Sequence, residues 1–109
     1  MAKIKWEKGI ITLWQKNSLD KIIKGELSNP PGLGICKPNI WQLTHIKTGA
    51  LIKSFRYRKE CKKAAEIFYE IMPKEFWEES DFSKAGSYTS TKGREVLKKL
   101  TELGIEWIR

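Results

Sequence analysis

The chain has 109 residues with one histidine and two cysteines, and it contains no long hydrophobic run. A membrane-spanning helix needs about 20 consecutive apolar residues, and no stretch of this sequence approaches that length. The opening stretch, Met1 to Trp6, lacks the apolar segment of a secretory signal, so none is expected. Cys36 and Cys61 stand outside any C-x-x-C motif, which predicts reduced thiols in a cytoplasmic protein.

The scarcity of histidine and cysteine also limits the chemistry of the chain. A catalytic base needs a nucleophile and an orienting partner nearby, and no residue spacing around His45 provides them. His45 is in phase with Trp41 and Leu43, which predicts a packed side chain on a strand. Two cysteines and one histidine form no zinc-ligand spacing. We therefore expect a protein that is not an enzyme and that has neither a cofactor nor a metal.

Positive charge is abundant and unevenly distributed. The chain has 21 Lys and Arg against 13 Asp and Glu, a formal net charge of +8. The first 65 residues contain 14 of the basic residues and only 4 of the acidic ones. An excess concentrated in this way favours a polyanionic partner such as nucleic acid. The hydrophobic content of 40% is that of a globular domain, and the length fits one domain over 1–109.

The first third of the chain predicts a strand, a helix and a loop. Residues 6–15 are rich in β-branched and aromatic side chains, which favour a strand. Asn17 and Ser18 are typical helix caps, and the apolar residues from Leu19 to Leu27 share one helical face. Residues 28–39 contain three prolines and two glycines, which predict a loop.

A hairpin and a helix are predicted over residues 40–72. Alternation between Trp41, Gln42, Leu43 and Thr44 indicates a strand, the turn contains Gly49, and residues 51–56 form the return strand. An apolar stripe on residues 58–72 then predicts a helix, which Pro73 ends.

The C-terminal third predicts a short turn, a loop and a final helix. Residues 82–90 read as loop, and a helix is expected over 91–104, where Gly104 and Ile105 are typical of a Schellman end. Together these elements predict an α+β domain with a small antiparallel sheet and two or three helices on one face.

Cations concentrate at the junction between the hairpin and the first long helix. Lys59 and Lys63 lie four residues apart and repel each other, and a phosphate backbone would relieve that repulsion. Cations also disfavour a helix start, because they oppose its dipole, so this placement favours a binding function. The outward strand face, with Gln42 and Thr44, would reach base edges in a major groove. The sequence therefore predicts a nucleic-acid interface, with DNA favoured over RNA, at Lys47, Lys53, Arg56, Arg58, Lys59, Lys62, Lys63, Gln42 and Thr44.

A family resemblance rests on three segments, Trp41–Gly49, Ile52–Phe55 and Arg58–Glu66. This strand–turn–strand–helix unit resembles the three-stranded-sheet-plus-helix DNA-binding domains of phage-type tyrosine integrases and AP2-like proteins. In that family the sheet enters the major groove and the helix packs behind it. The resemblance implies that Lys47, Lys53, Arg56 and Arg58 face DNA, and it implies a phage or mobile-element origin.

A second reading of the sequence is a protein-binding inhibitor or adaptor. Five tryptophans exceed the number that one small core usually requires. An exposed tryptophan is a candidate hot spot for a protein partner. Trp77, with Phe76 beside it, is the candidate because acidic residues flank the pair. In this reading the basic charge serves solubility or steering.

Overall fold

Six antiparallel strands form one sheet, in which each strand pairs with its neighbour along the chain. The computed structural model describes residues 4–13 and 21–108. The predicted α+β class is confirmed. The strands are β1 (Lys5–Leu13), β2 (Lys21–Asn29), β3 (Leu33–Cys36), β4 (Trp41–His45), β5 (Ala50–Phe55) and β6 (Trp107–Ile108), and the helices are α1 (Arg58–Ile71), α2 (Lys74–Glu78) and α3 (Phe82–Glu102).

The strand register assigns side chains to the two faces of the sheet. Ile35 lies opposite Leu43, so both point to one face, where they pack with α1 and α3 in the main core. Gly34 lies opposite Thr44 on the other face. A second, smaller core that includes Ile11 covers that other face.

The long hairpin of β1 and β2 builds this second core by leaving the plane of the sheet. The two strands pair along their whole length, but only Glu26 and Leu27 of β2 also pair with β3. The far half of the hairpin then approaches the sheet, because a Cβ placed on Gly34 would lie 2.8 Å from Ile11 Cδ1. The hairpin thus folds over the sheet face opposite α1.

The hairpin turns away from β3 at a pair of glycines. Gly9 and Gly25 lie opposite each other in the two strands. A Cβ on Gly25 would lie 2.4 Å from the carbonyl oxygen of Ile35 and 2.7 Å from Ile11 Cδ1. Position 25 therefore has no room for a side chain, and the close approach of the two strands requires glycine there.

The segment from β4 to α1 agrees with the predicted hairpin and helix. The expected apolar stripe of α1 is buried, including Cys61, Ala64 and Phe68. The helix ends at Ile71, just before Pro73. Burial raises the pKa of the Cys61 thiol to about 12, so this free cysteine is unreactive at neutral pH.

Two predictions for the first third of the chain are wrong. The expected helix over 19–27 is strand β2 across its described residues, because β-branched Ile22 and Ile23 pair along β1. The expected loop over 28–39 contains strand β3, whose four residues are all buried between β2 and β4. The predicted cap at Asn17 and Ser18, and the end of the first strand at residues 14–15, lie outside the described residues.

The final helix is longer than predicted. Asp81 caps α3 by accepting the backbone N–H of Lys84 at 3.1 Å, so the expected loop over 82–90 is helical instead. At the other end, Gly104 has φ of 73° and Ile105 N–H donates to the Leu100 carbonyl at 2.9 Å, which is the expected Schellman end. No helix among the described residues has the length and apolar content of a membrane span.

Glycine substitutions test this description of the backbone. Nothing lies within 4 Å of a Cβ added at Gly86 or Gly93 of α3. We expect Gly86→Ala and Gly93→Ala each to raise the free energy of unfolding by about 0.5–1 kcal/mol, because alanine favours a helix. Gly25→Ala should instead lower it. Urea unfolding measures all three, and a stable Gly25→Ala variant would contradict the close approach of β2 to β3.

His45 is buried with both ring nitrogens hydrogen-bonded. Its Nε2–H donates to the Phe76 carbonyl at 2.6 Å, and Nδ1 accepts from the Thr48 hydroxyl at 2.8 Å. The same Thr48 oxygen accepts the Ala50 N–H at 3.2 Å, which leaves its own hydrogen for His45. Burial lowers the pKa of His45, so the folded protein holds the neutral ring. The predicted packed histidine is confirmed.

A pH dependence of stability follows from the lowered pKa of His45. Unfolding restores the ordinary pKa of His45, near 6.5. Just below that pH the unfolded chain therefore binds a proton at His45 that the folded chain does not bind. We expect the stability to be full above pH 6.5 and to fall below it, by at most about 1.4 kcal/mol per pH unit. Urea unfolding between pH 7.5 and 5.5 measures this. His45→Asn should remove the slope, and a wild type with constant stability over this range would contradict the account.

Candidate nucleic-acid interface

An open groove of about 640 Å³ lies where the β1–β2 hairpin turns away from β3. The start of α1 and the start of β4 form its other side. Four cations line the groove, each from a different segment of the chain: Lys8, Lys24, Lys37 and Arg58. We call this the basic groove. Glu26 is its one carboxylate among the described residues, and Trp41 is its one aromatic side chain among them.

Strand alternation explains how the hairpin places charge in the basic groove. Lys8 lies opposite Glu26, and Ile10 lies opposite Lys24, so all four share one face of the hairpin. The residues of the opposite phase, such as Ile11, point to the second core instead. The hairpin therefore has one face for packing and one face for the groove.

Glu26 fixes the position of the α1 cations. Arg58 Nε donates to Glu26 Oε2 at 2.6 Å, and a second guanidinium N–H donates to Oε1. Lys62 Nζ lies 3.8 Å from Oε1. The hydrogen bond from Arg58, with the nearby charges of Lys62 and Lys8, lowers the pKa of Glu26 despite its burial. One ionised carboxylate thus sits among three cations, and the neighbourhood stays positive.

Trp41 contributes an aromatic surface beside these charges. It is partly exposed and packs its inner part against the main core. The ammonium of Lys37 lies 5.5 Å from the centre of its ring, a cation–π contact. Lys62 makes a similar contact with Trp6 at 6.0 Å. The groove therefore combines exposed lysines with an indole face.

The predicted basic residues fall into separate places. Arg58 and Lys62 are held by Glu26, and Lys63 pairs with Glu66 at 3.4 Å. Lys59 and Arg56 are exposed near the start of α1.

Two of the predicted cations lie away from this group. Lys53 is on the helix-facing side of the sheet, in phase with Phe55, and its ammonium lies 5.8 Å from the Trp107 ring. Lys47 follows β4 at the opposite end of the β4–β5 hairpin, and it lines a different cavity, with Trp77. The predicted patch is therefore not one surface.

Base reading by the outward face of β4 is wrong. Thr44 is fully buried, because the folded-over hairpin covers that face of the sheet. Gln42 is partly buried and lines a small cavity with Leu13 and Lys21 of the hairpin. The prediction followed strand alternation correctly but assumed that solvent covers the second face.

The predicted protein-docking pair is also wrong as an exposed site. Trp77 and Phe76 are both buried, at 8% and 1% exposure. Trp77 stacks on Tyr69 at 4.4 Å between ring centres, and Phe76 meets it edge-on at 4.7 Å. Both side chains are part of the main core.

Sequence reasoning missed Lys8, Lys24, Lys37 and the groove role of Trp41. Lys24 was assigned to a helix, and Lys37 to a loop. If residues 21–29 are read as a strand paired with residues 5–13, Lys8 and Lys24 fall on one face. The signal that could have found them is the β-branched pair Ile22 and Ile23.

The described residues offer little for catalysis. Both ring nitrogens of His45 are occupied, and its cavity of about 360 Å³ beneath α3 has a mainly apolar lining. No group of three or more metal-binding side chains occurs within the described ranges. The four cations of the basic groove can bind an anion.

Comparison with known proteins gives no match: no family model, no curated protein and no solved structure matches the chain. The resemblance to integrase and AP2-like domains stays a prediction.

Removal of the Glu26 carboxylate tests the ion cluster that it forms with Arg58 and Lys62. We expect Glu26→Gln to lower the free energy of unfolding by up to about 1 kcal/mol, because Arg58 and Lys62 lose their partner. The loss should shrink in high salt. It should also shrink below pH 4.5, where the wild-type carboxylate is protonated as the pH falls through its lowered pKa.

Glu7→Gln is the matched control for this change, because Glu7 is exposed on β1, the neighbouring strand of the same hairpin. Urea unfolding compares the two variants. Equal effects of Glu7→Gln and Glu26→Gln at neutral pH and low salt would contradict the stabilising role of the cluster.

Proposed function

We propose that this protein is a small non-enzymatic nucleic-acid-binding protein and that the basic groove is its binding site. One observation carries the proposal: Lys8, Lys24, Lys37 and Arg58 converge on one groove from four segments of the chain. The single carboxylate there is already bound by Arg58. The three lysines are exposed and have no ion pair among the described residues, so they are available to phosphates.

The interface differs from the one expected from the sequence. The sequence predicted phosphate contacts on the β4–β5 hairpin, whereas the proposed contacts lie on the β1–β2 hairpin. Arg58 belongs to the predicted interface and to the proposed one. Lys59 and Lys62 lie next to the groove on α1 and extend the positive surface. The proposal keeps nucleic acid as the partner, with DNA over RNA, and a cytoplasmic location and a phage or mobile-element origin remain parts of it.

A protein partner is the second candidate, on a different surface from the one first expected. Ile10 and Ile22 are 66% and 70% exposed. They are diagonal neighbours on the face of the hairpin that also forms the basic groove, because Ile10 lies opposite Lys24 and Ile22 lies opposite Thr12. Concentration-dependent light scattering together with no affinity for oligonucleotides would favour this candidate.

Fluorescence anisotropy with a labelled 12-nucleotide DNA tests the main proposal. We expect binding at 50 mM salt, with a log–log salt slope of about −2 to −3 for phosphate contacts by the three lysines. Lys24→Glu combined with Lys37→Glu should weaken binding by at least about tenfold at this salt concentration, because two phosphate contacts become repulsive.

The matched control is Lys84→Glu combined with Lys98→Glu, which makes the same charge change on α3. Both control positions are exposed and lie outside the groove. Equal loss of affinity in the two double variants would show that net charge alone drives binding, and it would contradict the groove as the site.

A further inference from the structure

We infer that the basic groove takes single-stranded nucleic acid, with a base stacked on Trp41. This inference rests on the proposed function and names its substrate class. It draws on three features: a covered face of β4, the lining of the groove at the glycine bend, and an indole ring beside exposed lysines.

The covered sheet face removes one route to a duplex. A two-stranded ribbon reads a major groove only when one of its faces is free to enter it. One face of β4 packs in the main core, and on its other face Thr44 is fully buried beneath the folded-over hairpin. Leu51 of β5, which lies opposite Thr44, is exposed but has no polar group for a base edge. The nucleic-acid contacts must therefore come from another surface.

The lining of the basic groove favours one strand over two. Its walls are the bent hairpin and the start of α1, with Gly9 and Gly25 at the bend, and its volume is about 640 Å³. Trp41 is the one aromatic side chain among the described residues that line it. An unpaired base can place its face on Trp41, whereas the bases of a duplex are already stacked on one another.

Trp41 provides the surface on which a base stacks. Stacking on an aromatic side chain accepts any base, since every base has a π face, and a positive groove that follows the backbone completes this mode of binding. In the free protein the Lys37 ammonium lies 5.5 Å from the Trp41 ring. A base that replaces the ammonium on the indole leaves Lys37 free to contact the adjacent phosphate.

Trp107 supplies an internal control for Trp41. It is also partly buried against the main core, and Lys53 lies 5.8 Å from its ring. Trp107 pairs with Phe55 on β5 and does not line the basic groove. The two tryptophans therefore share a cation–π contact and similar burial but differ in position.

The experiment measures anisotropy of three labelled 12-mers at 50 mM salt: oligothymidine, a mixed-sequence duplex, and an oligothymidine with central abasic sites. The abasic strand keeps the phosphates and removes the stacking partner. We expect wild-type protein to bind oligothymidine tighter than the duplex, and tighter than the abasic strand by about tenfold. Trp41→Leu should bind oligothymidine and the abasic strand equally, whereas Trp107→Leu should keep the wild-type preference.

The abasic comparison needs no variant, so the test remains decisive if Trp41→Leu fails to fold. Equal binding of oligothymidine and the abasic strand by wild-type protein would overturn the inference, and so would tighter binding of the duplex. In both cases nucleic-acid binding itself stands. If none of the three 12-mers binds at 50 mM salt, both the inference and the proposed function are overturned.

Discussion

The close approach of Gly25 to the backbone of β3 is the constraint on which the rest of the structure depends. With the Ile35 carbonyl oxygen 2.4 Å from where a Cβ would be, β2 can leave the sheet only at a residue without a side chain. Beyond this point the hairpin folds over Gly34 and buries Ile11 in the second core. On its other side, the same bend opens the basic groove. The second core and the basic groove thus arise from one backbone feature.

Electrostatics then determines what the groove can hold. Glu26 lies within the paired part of β2, next to the bend, and it positions Arg58 through two hydrogen bonds. The helix start, which would otherwise repel its own cations, is connected to the sheet by this ion cluster. The carboxylate neutralises one cation and leaves Lys8, Lys24 and Lys37 for a ligand. The groove thus has one carboxylate bound to Arg58 and three exposed lysines among its described lining residues.

Local patterns predicted the part of the fold that depends on local contacts. The alternation of β4 and the apolar stripe of α1 were readable because each element repeats with its own period. The hairpin of β1 and β2 was missed because its sequence fits two patterns. The apolar residues have a helical spacing, and they also include the β-branched pair that favours a strand: Leu19, Ile22, Ile23 and Leu27. Strand β3 was missed because prolines and glycines surround a run of only four buried residues. The basic groove depends on both elements, so its lysines could not be grouped without the strand pairing.

The same reasoning explains the two errors about exposure. Thr44 and Trp77 were judged from their neighbours in sequence, whereas their burial comes from a distant hairpin and from Tyr69 of α1. Tyr69 also donates to the Pro30 carbonyl and so attaches the segment before β3 to the helix. Long-range contacts of this kind leave no periodic signal in the chain.

An NMR titration of the ¹⁵N-labelled protein with oligothymidine tests the central claim most directly. The account predicts that the backbone amides around Lys8, Lys24 and Lys37 and the indole N–H of Trp41 shift together, while those of α3 stay in place. Shifts confined to the Lys47 turn, or to the surface of α3, would contradict the assignment of the basic groove as the binding site.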